Sequence, residues 1–392
     1  MENKNTEITN DILHTGDLLI KAIKAQLNGN EYAFPEGTDF GKIHKLAERH
    51  KVTPLVAPSV IACENASEQY KSIFKKELFR CAARHAAQEQ EAKELAELFA
   101  ENRIKHCFLK GTKVSRYYDN PDMRFMLDMD VLVENEKCSL AAELLVNRGY
   151  KYDNYEDEKD AGYVKKPFLN FELHKELKYD YDKGYDYYKG ALDRMIVDEN
   201  GYSMNMTDED FYVYILSHTA HHFESAGTGI KSIVDHYYLK QKLKPLCNAE
   251  VLEKALEETG LSAFQKTMDK LSDFWFADGE QDENVKETAD YIILSGVFGT
   301  RTNYYLSGII KGDYSDKKSS YFLSRLFLPY KLMKKRYPVL KKLPFLLPIM
   351  WIVRLLSAFK DRDKYAAEAS QVNSVDSSEK DRHIEFLKRN GL

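Results

Sequence analysis

Apolar residues recur at helical spacing through most of the first hundred positions, and the pattern changes at Ile104. From Ser67 to Asn102 the chain is rich in Ala, Glu, Lys and Leu and has no Pro or Gly, which predicts one long helix or two joined by a bend. Val52-Thr53-Pro54 marks an earlier helix stop and a new start. Beyond Ile104, short runs of period two predict strands at 104–109, 127–133, 149–153 and 168–174, with helices over about 112–119 and 136–148. The acidic run from Asp153 to Asp160 reads as a solvated loop. Thr207 then supplies a capping residue ahead of an acidic first turn, and helical periodicity returns to about residue 300. The expected class is α+β, a small mixed sheet between helical regions. Its divisions are an N-terminal helical region (1–103), an α/β core (104–206), a C-terminal helical domain (207–318), a basic apolar arm (319–360) and a polar, mostly disordered tail (361–392) with a short helix near 378–390.

Composition narrows the function classes. A chain of 392 residues with 43% hydrophobic and 12% aromatic content has enough material for two or three packed domains. The five cysteines are scattered, without a CxxC, which argues against a zinc cluster or a disulfide framework. The first residues are polar and acidic and lack the apolar core of a secretory signal, and the longest apolar run, 343–359, is broken by Pro348 and Arg354. A cytoplasmic location is the expectation. Charge is unevenly spread: Lys317 to Lys360 holds eleven basic residues and no acid, leaving about −16 elsewhere once those are taken from the net −5.

The chemistry concentrates between Phe108 and Val133. A strand runs into Lys110-Gly111-Thr112, where Gly would let phosphate approach the backbone, with following amides and the Thr112 hydroxyl as partners. A second strand carries Asp128 and Asp130 on one face, with Leu127, Met129 and Val131 on the other. Two carboxylates on an apolar strand repel unless a cation stands between them. Residues two apart on a strand are separated by roughly 6.5 Å, which allows convergence on metal ions roughly 3.5–4 Å apart. In 168–174 the same alternation places Asn170, Glu172 and His174 together, so Glu172 is the candidate third acid.

These elements resemble the DNA polymerase β-like nucleotidyltransferase superfamily and, more narrowly, its family of uncharacterised nucleotidyltransferases. The resemblance rests on Leu109-Lys110-Gly111, Arg124, Asp128-Met129-Asp130-Val131-Leu132-Val133 and Glu172-Leu173-His174, in that order. It continues through His218, His222-Phe223, Gly229-Ile230-Lys231 and Asp235 to a proline pattern at 327–351, and so covers roughly residues 40 to 360. Thr112 stands where Ser is common, and Glu172 where many members carry Asp. The resemblance implies transfer of an NMP group from an NTP to an acceptor hydroxyl, releasing pyrophosphate. It implies two Mg²⁺ ions, with Mn²⁺ possible, on Asp128, Asp130 and Glu172. Lys110, Gly111, Thr112, Arg124, His174, His218, His222 and Asp235 would then serve nucleotide binding. The acceptor, whether protein, metabolite or RNA, stays open. A catalytically inactive nucleotide-binding sensor or scaffold is the alternative.

Helical spacing puts His218 and His222 on one face without His221, too few ligands for a zinc site. They are expected to border the nucleotide or acceptor pocket with Asp235. The basic segment 317–360 has the charge to contact nucleic acid or an anionic membrane surface. Its prolines and interleaved aromatics fit better an irregular arm wrapped over an acidic body.

Overall fold

The computed structural model describes residues 2–153, 160–178, 184–310, 323, 327–358 and 377–392. Four helices open the chain: α1 (Glu2–Leu27), α2 (Phe40–His50), α3 (Thr53–Ala62) and α4 (Glu68–Glu101). Asp39 caps α2 by accepting from the amides of Gly41 and Lys42, and the Thr53-Pro54 start of α3 stands where the sequence signals it. The uninterrupted stretch after Ser67 forms a single helix of 34 residues. Its buried positions Phe74, Cys81, Gln88, Glu91, Leu95 and Phe99 follow helical spacing along one stripe. The N-terminal half of that stripe meets the helical core, and the C-terminal half covers a sheet.

That sheet has five strands: β1 (His106–Phe108), β2 (Met129–Val133), β3 (Lys151–Asp153), β4 (Asp160–Lys165) and β5 (Leu169–His174), in the order β1-β2-β5-β4-β3. Only β2 and β5 run parallel; the other neighbours are antiparallel. Between β1 and β2, a single turn of helix, α5 (Gly111–Val114), passes into a 3₁₀ turn at Ser115–Tyr117, in place of the longer helix expected over 112–119. α6 (Cys138–Asn147) follows β2. Met129, Val131 and Val133 on β2, with Leu169, Phe171 and Leu173 on β5, pack under α4 and α6. By strand alternation, Asp130, Glu172 and His174 face the other way.

The sequence pattern missed β4. Asp160, Gly162 and Lys165 lower its strand propensity, while pairing along all of β5 supplies what local preference lacks. Of the acidic run expected as a loop, residues 154–159 lie outside the described residues. The core closes with α7 (Tyr185–Tyr188) and a two-stranded ribbon of β6 (Ile196–Val197) and β7 (Met204–Asn205).

Helices then resume: α8 (Asp208–Ser225), α9 (Ile230–Tyr238), α10 (Ala249–Glu258), α11 (Ser262–Phe276), α12 (Glu283–Ser295) and α13 (Arg301–Ile310). Thr207 caps α8, accepting from the Asp210 amide at 3.1 Å. The N-terminal region is tied to this bundle through His50. The Ile230 amide donates to its Nδ1 at 3.1 Å, so the proton resides on Nε2 and is donated to the Ile293 carbonyl at 3.0 Å. Arg49 beside it donates to the carbonyls of Leu294 and Ser295. Two further helices, α14 (Tyr330–Arg336) and α15 (Leu347–Ala358), occupy the expected arm, with Pro338 and Pro344 opening 3₁₀ turns between them.

The short helix expected near the end of the tail is present. Ser377–Arg389 forms α16, whose Phe386 stacks on Phe223 of α8 at 5.7 Å and meets Tyr291 of α12 at 4.8 Å. The buried Asn390 accepts from the Thr288 hydroxyl at 2.8 Å. A charged, short helix looks dispensable by composition, but its apolar stripe is a piece of the core. Residues 361–376 lie outside the described residues.

Candidate functional site

The site begins where β1 ends. Lys110 adopts φ +40°, a conformation costly for a residue with a Cβ, and the chain turns sharply into α5. The turn returns the Lys110 ammonium to Asp130, 2.7 Å from Oδ1, while the Leu109 amide extends the β1/β2 pairing to the Asp130 carbonyl at 2.8 Å. At Gly111 a Cβ would stand 2.5 Å from Met126 Sδ and 3.2 Å from Arg124 Nη1, so close packing requires glycine here. The Thr112 hydroxyl donates to the Leu109 carbonyl at 2.9 Å, and this side chain does not line the cavity described below.

Asp130 and Glu172 are register partners on β2 and β5. His174, two residues on, places Nε2 at 2.9 Å from Asp130 Oδ1 and 3.7 Å from Glu172 Oε2. One ligand atom from each of Asp130, Glu172 and His174 lies within 4.8 Å of the others, spacing suited to a metal ion. Asp128 precedes the first residue of β2 and is half-buried on the cavity wall beside this trio.

The acids differ electrostatically. Burial disfavours charge on Asp130, but Lys110 and His174 outweigh it and hold the carboxyl well below the usual range. Burial and then the Asp130 charge push Asp128 upward. Glu172 is pushed up to about 7, by burial first and then by Asp130 and Asp128. Burial works against the Lys110 charge too, and Asp130 more than restores it.

Behind the turn stands a network on buried Asp235. Arg124 grips both carboxylate oxygens, Nε to Oδ1 at 2.7 Å and Nη2 to Oδ2 at 2.8 Å, and its Nη1 donates to the Gly111 carbonyl at 3.2 Å. The Tyr118 hydroxyl donates to Oδ1 at 2.6 Å, and Lys231 to Oδ2 at 3.1 Å. Asp235 on α9 therefore fixes the Gly111 turn through Arg124.

Helix α8 supplies the facing wall. His218 and His222, one turn apart, bring their Nε2 atoms to 3.2 Å, one donating and the other accepting. Burial and then the Lys110 charge keep His218 well below its ordinary value; enclosure between the cavity walls and then His221 lower His222, whose ring keeps an exposed edge. Both are neutral at pH 7. The positive charge comes instead from lysines.

Sheet, turn, α8 and α9 enclose a cavity of about 450 Å³. Lys110, Gly111, Arg124, Asp128, Asp130, Glu172, His174, His218, His222 and Asp235 all line it. So do Lys51, Lys178 and Lys231, with Phe125 and Phe298, none of which sequence reasoning assigned to a site. The Lys51 ammonium lies 5.2 Å from the Phe125 ring centre and 5.8 Å from that of Phe298. Gly229-Ile230-Lys231 was a signal available for Lys231; Lys51 and Phe298 come from distant helix ends and carried none.

A family model described as uncharacterised nucleotidyltransferase matches residues 36–276. The chain belongs to that family. No match is found among curated proteins, and none among solved structures. The matched span runs from just before α2 to the end of α11 and holds the sheet, the Gly111 turn, α8 and α9. The proline pattern at 327–351 lies beyond it. Nucleotidyl transfer, the general activity of the nucleotidyltransferase family, agrees with a cavity where lysines face carboxylates.

Proposed function

We propose that this protein is a polymerase β-like, metal-dependent nucleotidyltransferase that moves NMP from an NTP to an acceptor hydroxyl. The observation carrying this reading is the pairing of Asp130 with Glu172 across β2 and β5, beside His174 and Asp128 and next to the Gly111 turn. The donor set fits hard divalent cations, since carboxylate oxygens converge without a thiolate. Asp128, Asp130 and Glu172 would hold two Mg²⁺ ions, or Mn²⁺ in their place. Such ions, when bound, would neutralise the triphosphate and polarise its α-phosphoryl oxygen.

The chain's own groups do the rest. The acceptor oxygen attacks the α-phosphorus, a new O–P bond forms, and the bond from that phosphorus to the bridging oxygen of the β-phosphate breaks, so pyrophosphate leaves. Glu172, with its raised pKa of about 7, takes the hydroxyl proton. Lys110 and Lys231 offset charge on the triphosphate and the leaving pyrophosphate. The Gly111 turn lets phosphate oxygens reach the backbone, and Arg124 acts through that turn. His174 keeps Asp130 ionised and oriented. His218 and His222 border the nucleotide.

Incubation with each α-labelled NTP, Mg²⁺ and a host lysate tests the proposal. Label should pass to an acceptor with wild-type protein and not with Asp130→Asn. Equal labelling by both would overturn it.

A further inference from the structure

Between 327 and 358 the chain packs on itself and leaves one apolar face that no other described residue covers. Met333 and Leu340 are fully enclosed; the Tyr330 hydroxyl donates to the Leu340 carbonyl at 2.7 Å. Trp351 donates to the Leu328 carbonyl at 2.9 Å, with its ring edge-on to Phe327 at 5.3 Å. These contacts occupy one side of α15. On the other side Ile349, Ile352, Val353 and Leu356 fall at the spacing of a single helix face and are 51%, 57%, 41% and 62% exposed. Phe345, one turn earlier, is 73% exposed. No charged side chain interrupts this stripe of five large apolar groups, an unusual surface to leave in water.

Basic residues flank it along the sequence. The stripe falls within the span that carries eleven basic residues and no acid, and exposed Lys341 and Lys342 stand just ahead of Phe345. Among the described residues no helix is long and apolar enough to cross a membrane. α15, at 12 residues, is about 18 Å long against a hydrocarbon core of about 30 Å.

We propose that α15 lies in the surface of an anionic phospholipid bilayer. Phe345, Ile349, Ile352, Val353 and Leu356 enter the acyl boundary, while Lys341 and Lys342 meet the phosphate headgroups. A second copy is disfavoured as occupant, because two such basic segments face to face repel. Single-stranded nucleic acid is disfavoured because the face is mainly aliphatic, whereas bases stack on aromatic rings.

Co-sedimentation of the full-length protein with vesicles of phosphatidylcholine, alone or mixed with phosphatidylglycerol, tests this. The mixed vesicles should bind the protein, the neutral ones should not, and salt should weaken binding. Ile352→Glu, at an exposed position, should lower affinity about tenfold or more with an unchanged circular dichroism spectrum. Lys341→Ala with Lys342→Ala should lower it about 25-fold, at about fivefold per basic residue near an anionic surface. No binding to anionic vesicles, or equal binding by Ile352→Glu, would overturn the proposal. So would a vesicle-free dimer that Ile352→Glu dissociates, or retention of RNA without retention of vesicles.

Discussion

Asp130 and Glu172 face each other across two parallel strands, yet Lys110 reaches only Asp130 Oδ1, at 2.7 Å. The lysine holds one carboxyl ionised, and the ionised neighbour helps raise the other to about 7. Two acids with separated pKa values can differ in their work: Asp130 serves as a ligand alone, Glu172 as a ligand and as the base.

Stability and activity should part company at the two aspartates. Asp128 carries its charge at a cost, so Asp128→Asn should raise Tm while abolishing transfer. Asp130→Asn should also abolish transfer, but it strips Lys110 of its partner and should cost about 3 kcal/mol. Thermal melts beside label transfer check both; a fully active Asp128→Asn, Asp130→Asn double variant would refute the mechanism.

Glu172 predicts a pH effect in metal-free protein. Between its ordinary value of 4.5 and about 7, the folded form holds a proton that the unfolded chain has released. Stability therefore falls as pH rises through that window and is level above it. Glu172→Gln should have a higher Tm than wild type at pH 8 and the same Tm at pH 4. Mg²⁺ should raise the wild-type Tm at pH 8 and leave that of Glu172→Gln nearly unchanged.

His50 behaves in the opposite sense. Burial lowers it to about 4, and both ring nitrogens are engaged, so the folded protein resists protonation there. The unfolded chain takes up that proton near pH 6.5, and stability drops between pH 6.5 and 4 by up to about 3 kcal/mol, remaining lowered below that. Denaturant midpoints against pH should show this drop in wild type and a shallower one in His50→Asn.

Arg124→Lys keeps a positive charge but loses the two-point grip on Asp235 and the tie to Gly111. It should cost about 3 kcal/mol in stability and raise KM for NTP. Melts and kinetics across NTP concentrations measure both.

His222→Ala should leave the fold intact, since the side chain projects into the cavity, while weakening nucleotide affinity. Calorimetric titration with NTP decides this, and unchanged affinity would count against a role for this wall.

What sequence reading could reach was local. Lys110-Gly111, Asp128-x-Asp130 and the alternation through Glu172 are short patterns whose geometry follows from strand periodicity. The long helix before them was legible because nothing in it breaks a helix. Contacts made at a distance were not. Arg124 and Asp235 are 111 residues apart, and no pattern in either segment announces that one clamps the other. His174 carried a nucleotide-binding expectation, and only strand pairing shows it against Asp130. β4 was hidden because Gly162 and flanking charge look like loop, and partnership with β5 overrides that preference. The last helix was legible, but its docking was not: Phe386 and Leu387 seat it in the core against residues far away in sequence.

That seating links the site to α16. Phe386 covers Phe223, which lies one residue beyond His222 on the cavity helix. Truncating the Phe386 side chain would uncover Phe223 on the inner side of that helix. The wall that carries His218 and His222 is thus backed, through Phe223, by the last of the described helices.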